Sequence, residues 1–537
     1  MIIPFRRRAL PVACALAAAI GGAIVALHYH TLGLTLSHYD ARGHLIVARR
    51  IIDSITPGWQ QIGAVWLPLP HLLNALPVQI DFFYRTGASA VAISIVAFAI
   101  ATGAIASIVL ALTESAAAAV VAAAAFAINP NVLYLQSTPM TEPLLLALTT
   151  LSVAMLIEWS RAGAALRAPS RIRAEGKGLR AEPEILPADA PGSALSPQPL
   201  ALMLQRGPIG WAFALACLTR YEAWPVTGCA LAAAVWARWR HGEPLAIALR
   251  QVASIAAYPA IAVIAFAIFS RVVIGEWFVA GGFFVPENKA LHDPAIAAAE
   301  IWWGTHTLSS PLLASIGAAG AAALLVSGFA TRRPEALIAL SLITTAAIPW
   351  AAFVDGHPFR VRYMVPLIAA EAVGIGIVAG LMPRARTAAA IVLLAVIAYQ
   401  LHPLSQSAPM VVEAQWDRPN GPVRAQVTAC LGQPGGGQKI MASMGSLGHY
   451  MQEASRAGFA ISDFLHEGNG DLWLAALDGP LPYADWILIE EKAEGGDMLA
   501  RRARERPTFL AGYTRTCEGA GLALYRRGRT HGSAPAP

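Results

Sequence analysis

Charge is scarce in this sequence. Asp, Glu, Lys and Arg supply 13% of its 537 residues, against 56% hydrophobic ones, whereas a soluble protein carries roughly a quarter charged residues. That scarcity, with a mean hydropathy of +0.53, excludes an ordinary soluble globular fold. Several stretches reach the ~20 apolar residues that cross a bilayer. A cleavable leader is also not expected. The segment Ala9 to His28 behind Phe5-Arg6-Arg7-Arg8 exceeds the ~7–15 apolar residues of a signal peptide, and no clear small-residue cleavage site follows. No internal repeat is evident. The sequence reads as a polytopic α-helical membrane protein.

The net charge of +6 points to no nucleic-acid partner, because the basic residues cluster at the ends of apolar segments. Cytoplasmic loops collect Lys and Arg in this way. Of five cysteines, Cys14, Cys217 and Cys229 fall in apolar segments and read as small core residues. Cys430 and Cys517 lie in the polar tail, where an oxidising compartment would let them pair or leave them free.

About eleven transmembrane segments are predicted, at 9–29, 87–112, 115–129, 133–158, 208–220, 223–239, 246–273, 308–330, 335–353, 364–382 and 387–402. With the N-terminus inside, Arg6-Arg7-Arg8, the Arg161–Arg206 linker, Arg238-Trp239-Arg240, Arg332-Arg333 and Arg384/Arg386 all fall on the cytoplasmic side. The loops 30–86, 274–307 and 354–363 and the tail from 403 then lie outside. The linker between 160 and 207, rich in Pro, Ala, Gly and charge over 167–199, reads as a disordered cytoplasmic loop. Residues 404–537 read as a small extracytoplasmic α/β domain behind a membrane domain of 1–403. Its strands are expected over 438–445 and 483–491, a helix over 497–506 and a terminal hairpin over 507–527.

The polar residues that remain fall mostly on the outer side. The first outer loop holds "SHYDARGHLIVARR" (37–50), whose mixture of apolar and basic residues over 41–55 suits a helix lying at the membrane interface. Trp59 and Trp66 would sit at headgroup level. Asp40 stands where that helix begins, as an N-cap or as a functional carboxylate. His44 follows one turn later on the same face. Glu142, in "YLQSTPMTEPLLLAL" (134–148), is an acid at membrane depth, a costly placement that marks a functional candidate or a helix cap. Arg220 and Glu222 in "CLTRYEAWP" occupy another outer turn, where they could simply neutralise each other. In "VDGHPFRVRYMVP" (354–366), Arg360 and Arg362 break the inside bias. Guanidinium groups near a helix start are ready partners for phosphate; contact with lipid headgroups is the alternative, and it explains one Arg better than a pair.

Tyr39-Asp40 shortly after the first helix, then "TPMTEPLLLAL", "LTRYEAWP" and "RVRYMVP" in that order, resemble the GT-C superfamily of integral-membrane glycosyltransferases. The likeness is to its protein-mannosyltransferase-like and aminoarabinose-transferase-like branch, family 39-like. The resemblance implies a polyprenyl-phosphate-linked sugar donor, with Asp40 as catalytic base and Glu142 as a second active-site acid. Arg220, Arg360 and Arg362 become phosphate-side candidates, and Tyr39, His44, Trp66, His71, Glu222 and Tyr363 substrate-binding ones. Asp-Ala-Arg-Gly-His stands where the mannosyltransferase branch has an Asp-Glu pair, so the resemblance names neither sugar nor acceptor, which could be protein, lipid or polysaccharide. Only Glu142 answers to the second-loop acidic pair of the metal-dependent oligosaccharyltransferase branch, which favours a reaction without metal or other cofactor. A transporter is the main rival, but it would place polar groups near the midplane and show repeated halves. A non-catalytic scaffold with an outer binding domain is the other.

Overall fold

The structure, a computed structural model, describes residues 5–175, 205–275, 277, 287–330, 333–381, 384–435 and 437–528. It begins with α1 (Phe5–Thr31), followed by the first loop with α2 (Tyr39–Arg50), α3 (Leu69–Asn74) and α4 (Asp81–Thr86). The bundle continues through α5 (Ala88–Thr113), α6 (Ala116–Ala127), α7 (Pro130–Leu135), α8 (Glu142–Glu175), α9 (Arg206–Cys217), α10 (Ala223–Arg240) and α11 (Leu245–Val273). After α12 (Pro294–Leu308) come α13 (Pro311–Ala330), α14 (Ala336–Leu340), α15 (Ala347–Val354), α16 (Leu367–Gly380) and α17 (Arg386–Gln400).

Among the described residues, seven helical segments are long and apolar enough to cross a membrane: 9–31, 88–113, 142–163, 245–273, 311–330, 336–354 and 361–380. The other four expected segments are helical but shorter, with 12 residues in α6 and α9, 18 in α10 and 15 in α17. The expected span at 133–158 is broken near its start. Asn129 caps α7 through the Asn131 N–H at 2.9 Å, and a turn containing Pro139 delays α8 until Glu142. At the far end α8 continues to Glu175, into the first residues of the expected disordered loop, and 176–204 lie outside the described residues. α13 and α16 pack so closely that a Cβ on Gly320 would collide with the Gly374 backbone, the kind of approach small residues permit between membrane helices. Cys217 is buried and Cys14 half-buried, but Cys229, expected in the core, is exposed.

The tail carries α18 (Pro409–Glu413), α19 (Gly421–Ala429), β1 (Ile440–Ala442), α20 (Met444–Ala454), β2 (Phe464–Leu465), α21 (Asp471–Asp478), β3 (Trp486–Glu490), α22 (Met498–Glu505), β4 (Tyr513–Gly519) and β5 (Leu522–Arg527). The five strands form one sheet in the order β2-β1-β3-β5-β4. β1 runs parallel to β2 and β3, and the β4–β5 hairpin closes the sheet antiparallel to β3. The expected strand at 438–445 ends early because the chain turns at Ser443 into α20, and the sequence pattern does not predict β2. A disulfide joins Cys430 to Cys517.

The expected interfacial helix is a buried one. Eight residues of α2 are buried, and Leu45, Ile46 and Ala48 share a core with Leu447, Tyr450 and Met451 of α20. α2 is covered from two directions, by α3 of its own loop and by α20 of the tail. The segment that does show an apolar free face lies further on. Leu72, Leu73, Leu76, Ile80 and Phe82 are exposed while His71, Asn74 and Val78 are buried, the amphipathic pattern of an interfacial element.

Candidate functional site

The N-cap of α2 is His38, not Asp40. His38 has extended backbone (φ −67°, ψ 133°), and its Nδ1 accepts the Asp40 N–H at 3.1 Å. Capping by a side chain satisfies a first-turn N–H that the helix leaves open. Asp40 is therefore released from the capping role, and its carboxylate forms an ion pair with Arg362. Arg362 stands on the 3₁₀ turn Val361–Met364 that leads into α16, with its guanidinium 5.4 Å from the Tyr363 ring centre. The two side chains are 13% and 14% exposed, and Arg362 Nε is buried without a hydrogen-bond partner.

Because His38 Nδ1 accepts, its ring proton in the neutral form belongs on Nε2. Nε2 lies 3.5 Å from Glu413 Oε1 of α18. Burial holds the His38 pKa below its ordinary value against the opposing pull of Glu413. Burial would raise the Glu413 carboxyl, but the His38 contact and the charges of Arg362 and Arg360 keep it below its ordinary value. Glu413 is thus an ionised carboxylate facing the arginine pair from the tail.

A second network adjoins. Glu142, the first residue of α8, is fully buried, and Arg220 Nη1 donates to its Oε1 at 3.0 Å and to Thr141 Oγ1 at 3.1 Å. Arg220 Nε and Nη2 reach Glu222 Oε1 at 3.1 and 2.7 Å. Burial disfavours the Arg220 charge, but Glu222 and Glu142 more than offset it and raise its pKa. Arg220 does meet Glu222, as a simple neutralising pair would, but it also clamps Glu142. One lone-pair direction remains open, since Glu142 Oε2 is buried without a partner.

His44 stands on α2 one turn beyond Asp40. Its Nδ1 is 3.1 Å from His71 Nε2, and His71 Nδ1 is 3.1 Å from the Leu67 carbonyl. A carbonyl only accepts, so His71 carries its proton on Nδ1 and His44 donates from its own Nδ1. Trp66 stacks on His71, with centres 5.9 Å apart, and packs at a tilt on His44, with centres 4.2 Å apart. Burial, then the neighbouring His71 and Arg220, hold His44 well below its ordinary pKa. The Tyr363 hydroxyl is 3.4 Å from His357 Nε2.

Asp40, Arg362, Tyr363, His44, Glu142, Arg220 and Glu222 therefore form one sheltered polar region, with Arg360 beside it. Trp66 and His71 stand behind His44 as its support. Tyr39 turns away, donating its hydroxyl to the Gly445 carbonyl of α20 and packing on His449. Sequence reasoning missed His38 and Glu413. It also passed over Glu371, an acid inside the apolar segment 361–380 whose Oε2 accepts from Ser309 Oγ at 2.9 Å. The rule that singled out Glu142 applies equally to Glu371. Among the described residues, no three His, Cys, Asp or Glu side chains are grouped as a metal site would require.

No model of a known protein family matches the chain, and no curated protein sequence matches it either. Solved structures do. ArnT from Cupriavidus metallidurans bound to undecaprenyl phosphate is 13% identical and superposes with a TM-score of 0.53, covering 96% of this chain and 99% of that one. The apo state of the same protein gives 12%, 0.52, 95% and 98%. The oligosaccharyltransferase AglB of Archaeoglobus fulgidus, in complex with an inhibitory peptide and a dolichol-phosphate, gives 11% and 0.49 over 89% of this chain and 69% of that one. The chain is a membrane protein with the GT-C fold that its sequence resembles.

Proposed function

We propose that the protein transfers a sugar from a polyprenyl-phosphate-linked donor to an acceptor hydroxyl or amine at the outer face of the cytoplasmic membrane. The observation that carries this reading is the contact between Asp40 and Arg362 in one sheltered spot, a candidate base beside a candidate phosphate ligand. Asp40 takes the proton as the acceptor atom bonds to the anomeric carbon. The bond from that carbon to the phosphate oxygen breaks on the far side, and the phosphate leaves with the electron pair. Arg362 and Arg360 stabilise the charge that gathers there. Arg220, committed to two carboxylates, fixes the buried Glu142 and Glu222 in place. One direct displacement inverts the anomeric configuration. Undecaprenyl phosphate bound to a protein of the same fold supports a polyprenyl phosphate as the donor's carrier.

The test is purified Asp40→Asn in a bilayer with polyprenyl-phosphate sugars and extracted acceptors. Loss of a positioned base typically lowers the rate by ~10²–10⁴-fold. Transfer at the wild-type rate would remove Asp40 from the chemistry.

A further inference from the structure

The tail is not a separate module hung beside the site, for it sends one carboxylate into it. Asn131 Oδ1 accepts the Met410 N–H at 3.0 Å, and Asn131 Nδ2 holds the Leu308 carbonyl at 2.8 Å, which fastens α18 against α7 and the end of α12. That attachment brings Glu413, at the end of α18, to His38 and sets α18 against the 3₁₀ turn that carries Arg362. Met410 and Val411 are fully buried, while Val412 points outward. Glu413 is thus fixed at its root before its head group is considered.

We propose that Glu413 is a positioning residue for glycosyl transfer, acting in two directions. Through His38 it secures the start of α2 and so the place of Asp40. The helix that carries it packs on the 3₁₀ turn that carries Arg362, so its charge also faces that arginine and adds to the hold of Asp40 on it. The chain of contacts is continuous: Glu413 Oε1 to His38 Nε2 at 3.5 Å, His38 Nδ1 to the Asp40 N–H at 3.1 Å, Asp40 to Arg362. His38 also answers to the charges of Arg362 and Glu142, so it lies between the two networks. The first loop supplies Asp40, and the tail supplies this second anion. The inference rests on the transfer reading above.

The experiment compares wild type, Glu413→Gln, Glu413→Asp, His38→Asn and the Glu413→Gln/His38→Asn double variant in lipid nanodiscs. It measures donor KM, kcat, and binding of bare polyprenyl phosphate. Glu413→Gln should bind polyprenyl phosphate more tightly and show a lower donor KM, because the arginines lose a competing anion. Its kcat should fall about tenfold, because a base displaced by a fraction of an ångström loses rate on that order. A simple folding lesion would weaken binding instead. Glu413→Asp should restore the donor KM. His38→Asn retains capping but loses the reach to Glu413. Its donor KM should stay near wild type while its kcat falls, and the double variant should be no slower than the slower single one. Unchanged kcat in Glu413→Gln, weaker lipid-phosphate binding, or fully additive losses would overturn the inference and leave the transfer reading standing. A wild-type protein that neither binds polyprenyl phosphate nor transfers sugar would overturn both.

Discussion

Asp40 and Arg362, 322 positions apart, meet in an ion pair that joins the first loop to the start of α16. Each partner limits the other. A carboxylate bound to a guanidinium is a weaker base, and a guanidinium bound to a carboxylate has fewer donors left for phosphate. On the proposed reading, an arriving phosphate would compete with Asp40 for Arg362, and donor binding would free the base at the moment it is needed.

Asp40→Asn should therefore bind bare polyprenyl phosphate more tightly than wild type, by about tenfold, because one charged hydrogen-bond partner of Arg362 is removed. Titration in nanodiscs measures this directly. Equal or weaker binding would show that Asp40 and the phosphate do not compete.

Replacing Arg360 and Arg362 together with Gln should raise donor KM at least tenfold while leaving the amount of protein in membranes unchanged, since each charged hydrogen bond to phosphate is worth ~1.5–3 kcal/mol. Turnover at limiting donor, measured beside immunoblots of membranes, separates the two effects. Unchanged turnover would reassign both residues to contact with lipid headgroups.

Much of this site was legible because charge is scarce. In an apolar chain, Asp40, Glu142, Arg220 and Arg362 stand out, and each proved to have a polar partner. What the sequence withheld was who meets whom. Glu413 reads as one acid among many in a polar tail, and His38 as a loop residue. Their burial depends on Asn131 fastening α18 from almost 280 positions away. The pattern of α2 misled for the same reason. Its alternation of basic and apolar residues looks interfacial when half of its cover, α20, lies some 400 positions further on. β1 is shorter than its pattern predicts because apolar Met444 continues the strand-like run past the turn at Ser443.

Cys430→Ser should destabilise the tail. The disulfide closes a separation of 87 residues, for which the chain-entropy account gives about 4–5 kcal/mol. A lowered unfolding midpoint of the tail, matched by wild type under reductant, is the expected result. An unchanged midpoint would mean that α19 and β4 are held by packing alone.

Acid should destabilise the protein through two buried histidines. Burial, with Arg50 adding to it, pushes His71 and His466 down to about 3, although the Leu67 carbonyl works the other way for His71. The unfolded chain takes up these protons near 6.5 and the folded one does not. Their contribution is present above pH 6.5 and is lost as pH falls from there toward 3, at about 1.4 kcal/mol per pH unit for each group. Unfolding midpoints between pH 7.5 and 5 should fall accordingly, and His466→Asn should make the slope shallower. A flat profile would mean that both groups titrate normally in the folded protein.

The side of the membrane that holds the chemistry can be predicted as well. Asp40 lies in the first loop, Arg362 before α16 and Glu413 in the tail, and their contacts require all three segments to share a side. The basic clusters at Arg6-Arg7-Arg8, Arg238–Arg240 and Arg384/Arg386 mark the opposite ends of the helices, and the cytoplasm retains such ends. A tail that carries a disulfide also belongs in an oxidising compartment. Taken together, these features predict that 404–537 lie outside. A phosphatase reporter fused after Gly528, beyond β5, should be active in intact cells, and the same reporter inserted within 170–200 should be silent. A silent reporter after Gly528 would put Asp40, Arg362 and Glu413 in the cytoplasm together, and the acceptor would have to be sought there.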